Sequence, residues 1–288
     1  MNTKILVYLP IFFIFTVCAS VSADRESPFV NSGIDEVQPD WQEAAEGAYY
    51  YHGKIESVNE DSQEILRLEF YALRIDLSHP GLEIAVYGGS YSKKVSSFVR
   101  DNSLIAGINA LPFDIITIHE GRPIKNSGLV ISEGVLLSPA HPRYDALVFY
   151  SGGGAAIVSQ SSIQSAENIE NAVGGFYQIL LDGQPAQRTL SLEARHPRSA
   201  AGISANGRYL FLLVIDGRRA GSAGSTEKET AFLLRSLGAL QGINFDGGGS
   251  SALAMRFPDG RVRVVNTPVQ GGVHGLERAV AGSLGIRN

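Results

Sequence analysis

The stretch EILRLEFYALRIDL (residues 64–77) alternates apolar and polar side chains over most of its length. A period of two marks a half-buried strand, and one this long needs an extensive sheet to satisfy its backbone groups. The chain supplies many candidate partners. GLEIAVYGG (residues 81–89) follows a His-Pro-Gly turn and reads as the hairpin partner or neighbour of the long strand. LIAGINA (104–110), GLVISEGVLLS (128–138), DALVFYS (145–151), GAAIVS (154–159) and AVGGFYQILLDG (172–183) are further short strands. SAAGISANGRYLFLLVIDG (199–217) gives two more around Asn206-Gly207, a pair suited to the positive φ angles of a tight hairpin turn.

Helices are few. VSSFVRDN (95–102) and SSIQSAENIENA (161–172) are predicted helices, and STEKETAFLLRSLGA (225–239) is the clearest. In the last, Ser225 or Thr226 can cap the start, Glu227 and Glu229 fall in the first turn, and Gly238 can end it. Ala231 and Leu234, with Leu237 or Leu233, form its apolar stripe. The expected fold is one α+β or mixed α/β domain, residues 41–288, built on a large, mostly antiparallel or mixed β-sheet. No repeat of solenoid period and no strong linker divides it.

A net charge of −5 provides no general cationic surface, which argues against nucleic-acid and anionic-membrane binding. Residues 1–23 read as an export signal, with Lys4, an apolar run ending at Ala19, and Val-Ser-Ala before Asp24. That run is short and broken by Pro10, which favours cleavage after Ala23 over a membrane anchor. Val17 before Cys18 disfavours a lipoprotein site. The sole cysteine then leaves with the signal, and residues 24–40 form a polar lead-in. The expected location is periplasmic or extracellular, with no membrane span in the mature chain.

The segment INFDGGGSSALAM (residues 243–255) carries the strongest chemical signal. A buried strand delivers Asp246 into Gly247, Gly248 and Gly249, then Ser250 and Ser251. Three ordered glycines are entropically costly, so either an extreme turn or a close approach to the backbone is needed. Successive N–H groups there can converge on an anion, and the serines add hydroxyl donors. Asp216 ends another apolar strand before Gly217, Arg218 and Arg219. Two strand-terminal carboxylates at one sheet edge can divide base, nucleophile and orienting roles, or can simply hold turns. The Asp-Gly pair at Asp182 reads as a turn. Arg195, His196 and Arg198 precede a strand, and arginine forks bind phosphate or carboxylate. Asn109 ends a buried strand, where its amide can bond a sugar hydroxyl or cap the loop. The six histidines show no metal-ligand spacing. The glycines at 152–154 read as a hairpin loop.

The order of these motifs resembles the phosphodiester glycosidase family. The resemblance is carried by INALPFD, GLVIS, AVGGFYQILLDGQ, RHPRSAAGI, LFLLVIDGR, the run from GSTEKE to NFDGGGSSAL, VNTP and ERAVAGSLGI, nearly the whole mature chain. The chain departs from the family pattern at Leu111 and Pro112 before Phe113, and at Ser199 where Thr is usual. The resemblance implies an exported hydrolase cleaving a sugar, of N-acetylglucosamine type, from a sugar-1-phosphodiester in an envelope glycan or glycoconjugate. In that setting Asp246 or Asp216 faces the anomeric carbon or activates water. The N–H groups of residues 247–249, Ser250, Ser251, and Arg198 or Arg218 hold phosphate, and Asn109 and Asn244 read sugar hydroxyls. A divalent cation, calcium or magnesium, is compatible with such oxygen ligands. The alternative is a glycan- or phosphoglycan-binding envelope protein without turnover.

Overall fold

The computed structural model describes residues 33–34, 37–58, 65–187 and 194–288; the export signal lies outside the described residues. The strands are β1 (Gln42–Ala45), β2 (Ala48–Val58), β3 (Ile65–Asp76), β4 (Glu83–Tyr87), β5 (Ala106–Asn109), β6 (Val130–Ser132), β7 (Val135–Ser138), β8 (Asp145–Tyr150), β9 (Ala155–Ser159) and β10 (Ile169–Gly174). They continue as β11 (Tyr177–Leu181), β12 (Gln184–Pro185), β13 (Arg198–Ile203), β14 (Tyr209–Ile215), β15 (Gln241–Asn244), β16 (Leu253–Arg256), β17 (Val262–Val264), β18 (Val269–Gln270), β19 (Val273–His274) and β20 (Ser283–Arg287). The α-helices are α1 (Val95–Asp101) and α2 (Glu227–Leu237).

The α+β expectation holds. An eight-stranded sheet runs β1-β2-β3-β14-β13-β15-β11-β12, and two five-stranded sheets run β7-β6-β10-β8-β9 and β17-β16-β5-β20-β4. The pairings that build these three sheets are antiparallel. The long strand β3 pairs with β2 and β14. It is not half-buried: Tyr71, Leu73 and Ile75 enter one core cluster, while Leu68, Phe70 and Ala72 enter another. The first cluster joins the large sheet to both smaller sheets through residues such as Ile108, Leu147 and Leu284. The second lies under α2, whose Ala231, Leu233, Leu234 and Leu237 are all buried. With apolar layers on both sides, the central strands carry hydrophobic residues on both faces.

Helix α2 starts and stops as its sequence directs. Thr226 accepts from the Glu229 N–H, Glu229 reaches back to the Thr226 N–H, and Gly238 closes the helix in a left-handed conformation. Helix α1 packs Val95, Phe98 and Val99 against Ala252, Ala254 and Val280.

Three local expectations are corrected. Residues 83–87 do not pair with β3; β4 pairs with β20, near the far end of the chain. Residues 161–172 are not a helix: one 3-10 turn, Gln160–Ser162, gives way at Asn168 (φ 61°) to strand β10. Ile163 and Ala166 mimic helical spacing because they cover the same small core as Ile169. In the 204–208 turn only Gly207 takes a positive φ, 69°. The Asp182–Gly183 turn between β11 and β12 does have both residues at positive φ, 50° and 74°. Within the lead-in, Ile34 is fully buried in the cluster beneath α2.

Candidate active site

Strands β14 and β15 both flank β13, with Ile215 opposite Arg198 and Asn244 opposite Ala200. Their ends therefore leave the same edge of the large sheet, so both Asp-Gly units lie along that edge. At the β15 exit the chain changes sheets. The Phe245 N–H still bonds to Ser199 O (2.8 Å), whereas the Asp246 N–H bonds to Ala110 O (2.7 Å), just after β5. A 3-10 turn over Gly248–Ser250 follows, and β16 joins β5 in the second sheet.

Two buried asparagines tie this crossover down. Asn109 donates from Nδ2 to Asp246 O (2.6 Å), and its Oδ1 accepts from Ser199 Oγ (2.6 Å) and Ala252 N (3.1 Å). Of the two readings open to Asn109, the geometry gives the loop-holding one, with the side chain fully buried. Asn266 acts likewise: Nδ2 donates to Ser251 O (3.0 Å) and Asp216 Oδ1 (3.1 Å), and Oδ1 accepts from Leu253 N (2.9 Å).

The glycine run is built for close approach, not as an open N–H nest. Gly248 N donates to Pro197 O (2.8 Å), Ser250 N to Gly247 O (3.2 Å) and Ser251 N to Gly248 O (3.3 Å). The Gly247 N–H bonds to the Asp246 carboxylate. The expectation that the N–H groups of Gly247 to Gly249 jointly cradle phosphate is therefore corrected, because the turn itself uses those of Gly247 and Gly248. What the glycines admit is other parts of the protein. A Cβ on Gly247 would lie 2.8 Å from Pro197 O, and one on Gly248 would lie 3.0 Å from Arg218 Nη2. On Gly249 it would meet Arg278 Nη2 and Gln270 Oε1, each at 2.4 Å. Two guanidinium groups thus lie against the loop that carries Asp246.

Asp246 is only partly buried, yet its pKa is pushed up to about 6. Burial is the cause, and the Ser250 hydroxyl, the charge of Arg278 and the Gly247 N–H only partly offset it. Ser250 links the pair, since its hydroxyl also accepts from Arg278 Nη1 (3.0 Å). Arg278 is oriented by Gln270 Oε1, which accepts from its Nε (2.8 Å) and Nη2 (2.5 Å). Burial lowers the Arg278 pKa, the charge of Asp246 raises it, and that of Arg218 lowers it again. Arg218, Arg278 and Asp246 form one electrostatic group.

Asp216 is different. It is 1 % exposed, and its carboxylate accepts from Arg219 Nη2 (2.7 Å), Asn266 Nδ2 and the Thr267 N–H (3.0 and 3.1 Å). Burial raises its pKa against those bonds. Arg219 also bridges to Glu69, which His52 (2.7 Å) and Lys54 (3.3 Å) reach from the other side. Burial acts to raise the Glu69 pKa, but the hydrogen bonds from Arg219, His52 and Lys54 outweigh it and hold the value at about 2. The bridge between residues 216 and 219 closes a tight turn in which Arg218 adopts φ 58°, and Arg218 lies against Gly248. The paired-carboxylate expectation is corrected accordingly: Asp246 is the less enclosed of the two residues, and Asp216 is the buried anchor that positions Arg218 and Asn266.

Arg198 bonds Ser225 O (3.2 Å) and Ala194 O (3.1 Å) and pairs with Glu227 Oε1 (3.5 Å), which ties it to the start of α2. Asn244 Nδ2 reaches the same Glu227 oxygen at 3.5 Å. Asn244 Oδ1 and Ser251 Oγ are buried with no hydrogen-bond partner among the described residues. Burial, then Arg198 and Arg218, lowers the pKa of the nearby His196. Among the described residues no group of three or more His, Cys, Asp or Glu side chains is gathered to hold a metal ion, and no helix is long and apolar enough to cross a membrane. A cavity of about 370 Å³, lined by Leu77, Glu83, Phe149, Tyr150 and Arg287 among others, shares no residue with the Asp246 loop.

Arg278 and Gln270 are the site residues that local sequence reading missed. Arg278 stands in the ERAVAG motif, and the unusual demand for space at Gly249 was the available signal.

Comparison with known proteins bears on family and fold. The model of the phosphodiester glycosidase family matches residues 102–287, more than half of the chain. The SPbeta prophage-derived uncharacterized protein YomE of Bacillus subtilis is 24% identical over 257 residues, covering 85% of this chain. The match covers 37% of that relative's length. Among solved structures, the zebrafish N-acetylglucosamine-1-phosphodiester alpha-N-acetylglucosaminidase catalytic domain, auto-inhibited by its pro-peptide, superimposes with a TM-score of 0.65 at 17% identity. That likeness covers 90% of this chain and 92% of the other. A hypothetical protein from Synechocystis gives 0.59 at 14% identity, covering 87% and 64%. A protein from Burkholderia pseudomallei described as exported gives 0.52 at 15% identity, covering 77% and 74%. The fold agrees with the family match, and the chain belongs to the phosphodiester glycosidase family.

Proposed function

We propose that the protein is an exported hydrolase that cleaves the glycosidic bond of a sugar-1-phosphodiester, the sugar being of N-acetylglucosamine type, in an envelope glycan or glycoconjugate. One observation carries this reading: the carboxylate of Asp246, a half-buried residue, lies in one electrostatic group with two guanidiniums that its own glycine loop makes room for. The arginines match the leaving phosphate, whose charge they stabilise as the bond breaks. A phosphodiester leaves as a stable anion, so protonation matters less than in ordinary glycoside hydrolysis. The ionised Asp246 faces the anomeric carbon or activates the attacking water. The zebrafish neighbour's substrate class and the leader around Lys4 support the substrate and export parts of the reading.

The test is turnover of a panel of sugar-1-phosphodiesters by the wild type and by Asp246→Asn. The wild type releases free sugar, and the variant loses roughly a thousandfold in kcat. Because the carboxylate works ionised, kcat/KM rises with pH through about 6, the value to which burial moves Asp246. Binding of the diester without sugar release would replace hydrolysis with the glycan-binding alternative. A rate that falls as pH rises through this range would reverse the role of Asp246 to that of an acid.

A further inference from the structure

The connection from β5 to β6 runs for about twenty residues with only isolated bridges, long for a compact domain and of a kind that is usually functional. It is tethered to the site at two points. Ala110 O accepts the Asp246 N–H (2.7 Å), and Thr117 O accepts the Ala279 N–H (3.0 Å), directly after Arg278. Between and beside these tethers the sequence places Ile115, Ile116 and Ile118, which are 50%, 63% and 36% exposed. Three exposed isoleucines within four residues concentrate apolar surface on one short segment, unlike a single scattered side chain. The departure from the family pattern at Leu111 and Pro112 begins this same segment, and both of those residues are buried and fix its course.

We infer that this isoleucine ridge is the aglycone wall of the site, and that the phosphodiester carries a hydrocarbon chain on its second ester oxygen. The inference rests on the phosphate assignment made above. Arg278 holds the phosphate, the ridge is tethered one residue away from Arg278, and the group esterified to that phosphate extends from the same place. A second copy of the chain and a lipid surface are the competing occupants. The tethers place the segment beside Asp246 and the neighbour of Arg278, which favours an occupant continuous with the phosphate site.

The experiment compares the wild type with an Ile115→Ser/Ile116→Ser double variant, which alters only exposed side chains. Calorimetry measures binding of octyl phosphate against ethyl phosphate, and kinetics measure octyl against ethyl esters of N-acetylglucosamine 1-phosphate. Burying part of the longer chain should make octyl phosphate bind about tenfold more tightly to the wild type, with most of that preference lost in the variant. The ester kcat/KM ratio should change in the same way. Equal binding of the two phosphates by the wild type, or a preference that survives the substitutions, overturns the inference. So does a variant that loses only binding to phosphatidylcholine vesicles, or that shifts only from dimer to monomer in sedimentation. If octyl phosphate shows the expected preference but neither ester is hydrolysed, the wall stands and the hydrolase reading fails.

Discussion

The chain contains two glycine triplets, and they solve opposite problems. At 152–154 a Cβ would meet nothing within 4 Å at any of the three positions, and Gly153 and Gly154 have φ of 88° and 90°. There the backbone needs the left-handed region to turn from β8 into β9, and the surroundings are open. At 247–249 only Gly248 has a positive φ, 63°, while each position faces an atom at 3.0 Å or closer. Here the missing side chains make room for Pro197, Arg218, Arg278 and Gln270. The same tripeptide is a hinge in one place and a socket in the other, and only the socket is joined to an acid.

That contrast can be tested from its largest effect downward. Gly249→Ala drives a methyl group into Arg278, so turnover of the sugar phosphodiester should fall roughly a hundredfold, comparable to losing one charge-stabilising donor. Wild-type kinetics in that variant would mean that Arg278 does not touch the phosphate. Gly247→Ala pushes against the Pro197 carbonyl, which is backbone and cannot swing aside; it should lower unfolding stability by about 2 kcal/mol in urea titration. Asp246→Asn should show the reverse sign in stability. Burial raises the Asp246 pKa, so the folded protein holds the proton more tightly than the unfolded chain does, and stability falls as pH rises from about 4 to about 6. Removing the charge should therefore stabilise the fold by about 2 kcal/mol at pH 7.5 and give almost nothing at pH 4. Thermal melts at both values check this. The smallest effect belongs to the hinge: Gly152→Ala, with no positive φ and open space, should change stability by no more than about 0.5 kcal/mol, in the stabilising direction.

The sequence revealed this arrangement unevenly. Alternation exposed strand β3 and the caps delimited α2, because both signals are local. Partners were hidden, since alternation says which face a residue takes and not which strand lies beside it. The pairing of β4 with β20 spans some two hundred residues, and proximity along the chain suggested β3 in its place. At the site, Asp246 and its glycines stood out from their own composition. The division of labour between Asp246 and Asp216 did not, because both end apolar strands before glycine. What separates them is a local bridge to Arg219, itself held by the distant Glu69, and the remote ligands Asn266 and Thr267. The N–H cradle was a reasonable local reading that failed because Pro197, fifty residues upstream, already occupies the Gly248 donor.

The passage of the chain from one sheet to another at Asp246 has a consequence for when the protein becomes competent. The bond from Asn109 to Asp246 joins residues 137 positions apart, and the Ala110 bond to the same residue joins the same two sheets. Neither sheet alone brings Asp246 together with its guanidiniums. A chain with a single sheet formed carries the aspartate but not the environment that sets its pKa. The raised pKa of Asp246 is then a late product of assembly, gained when the sheets dock and lost as soon as they part.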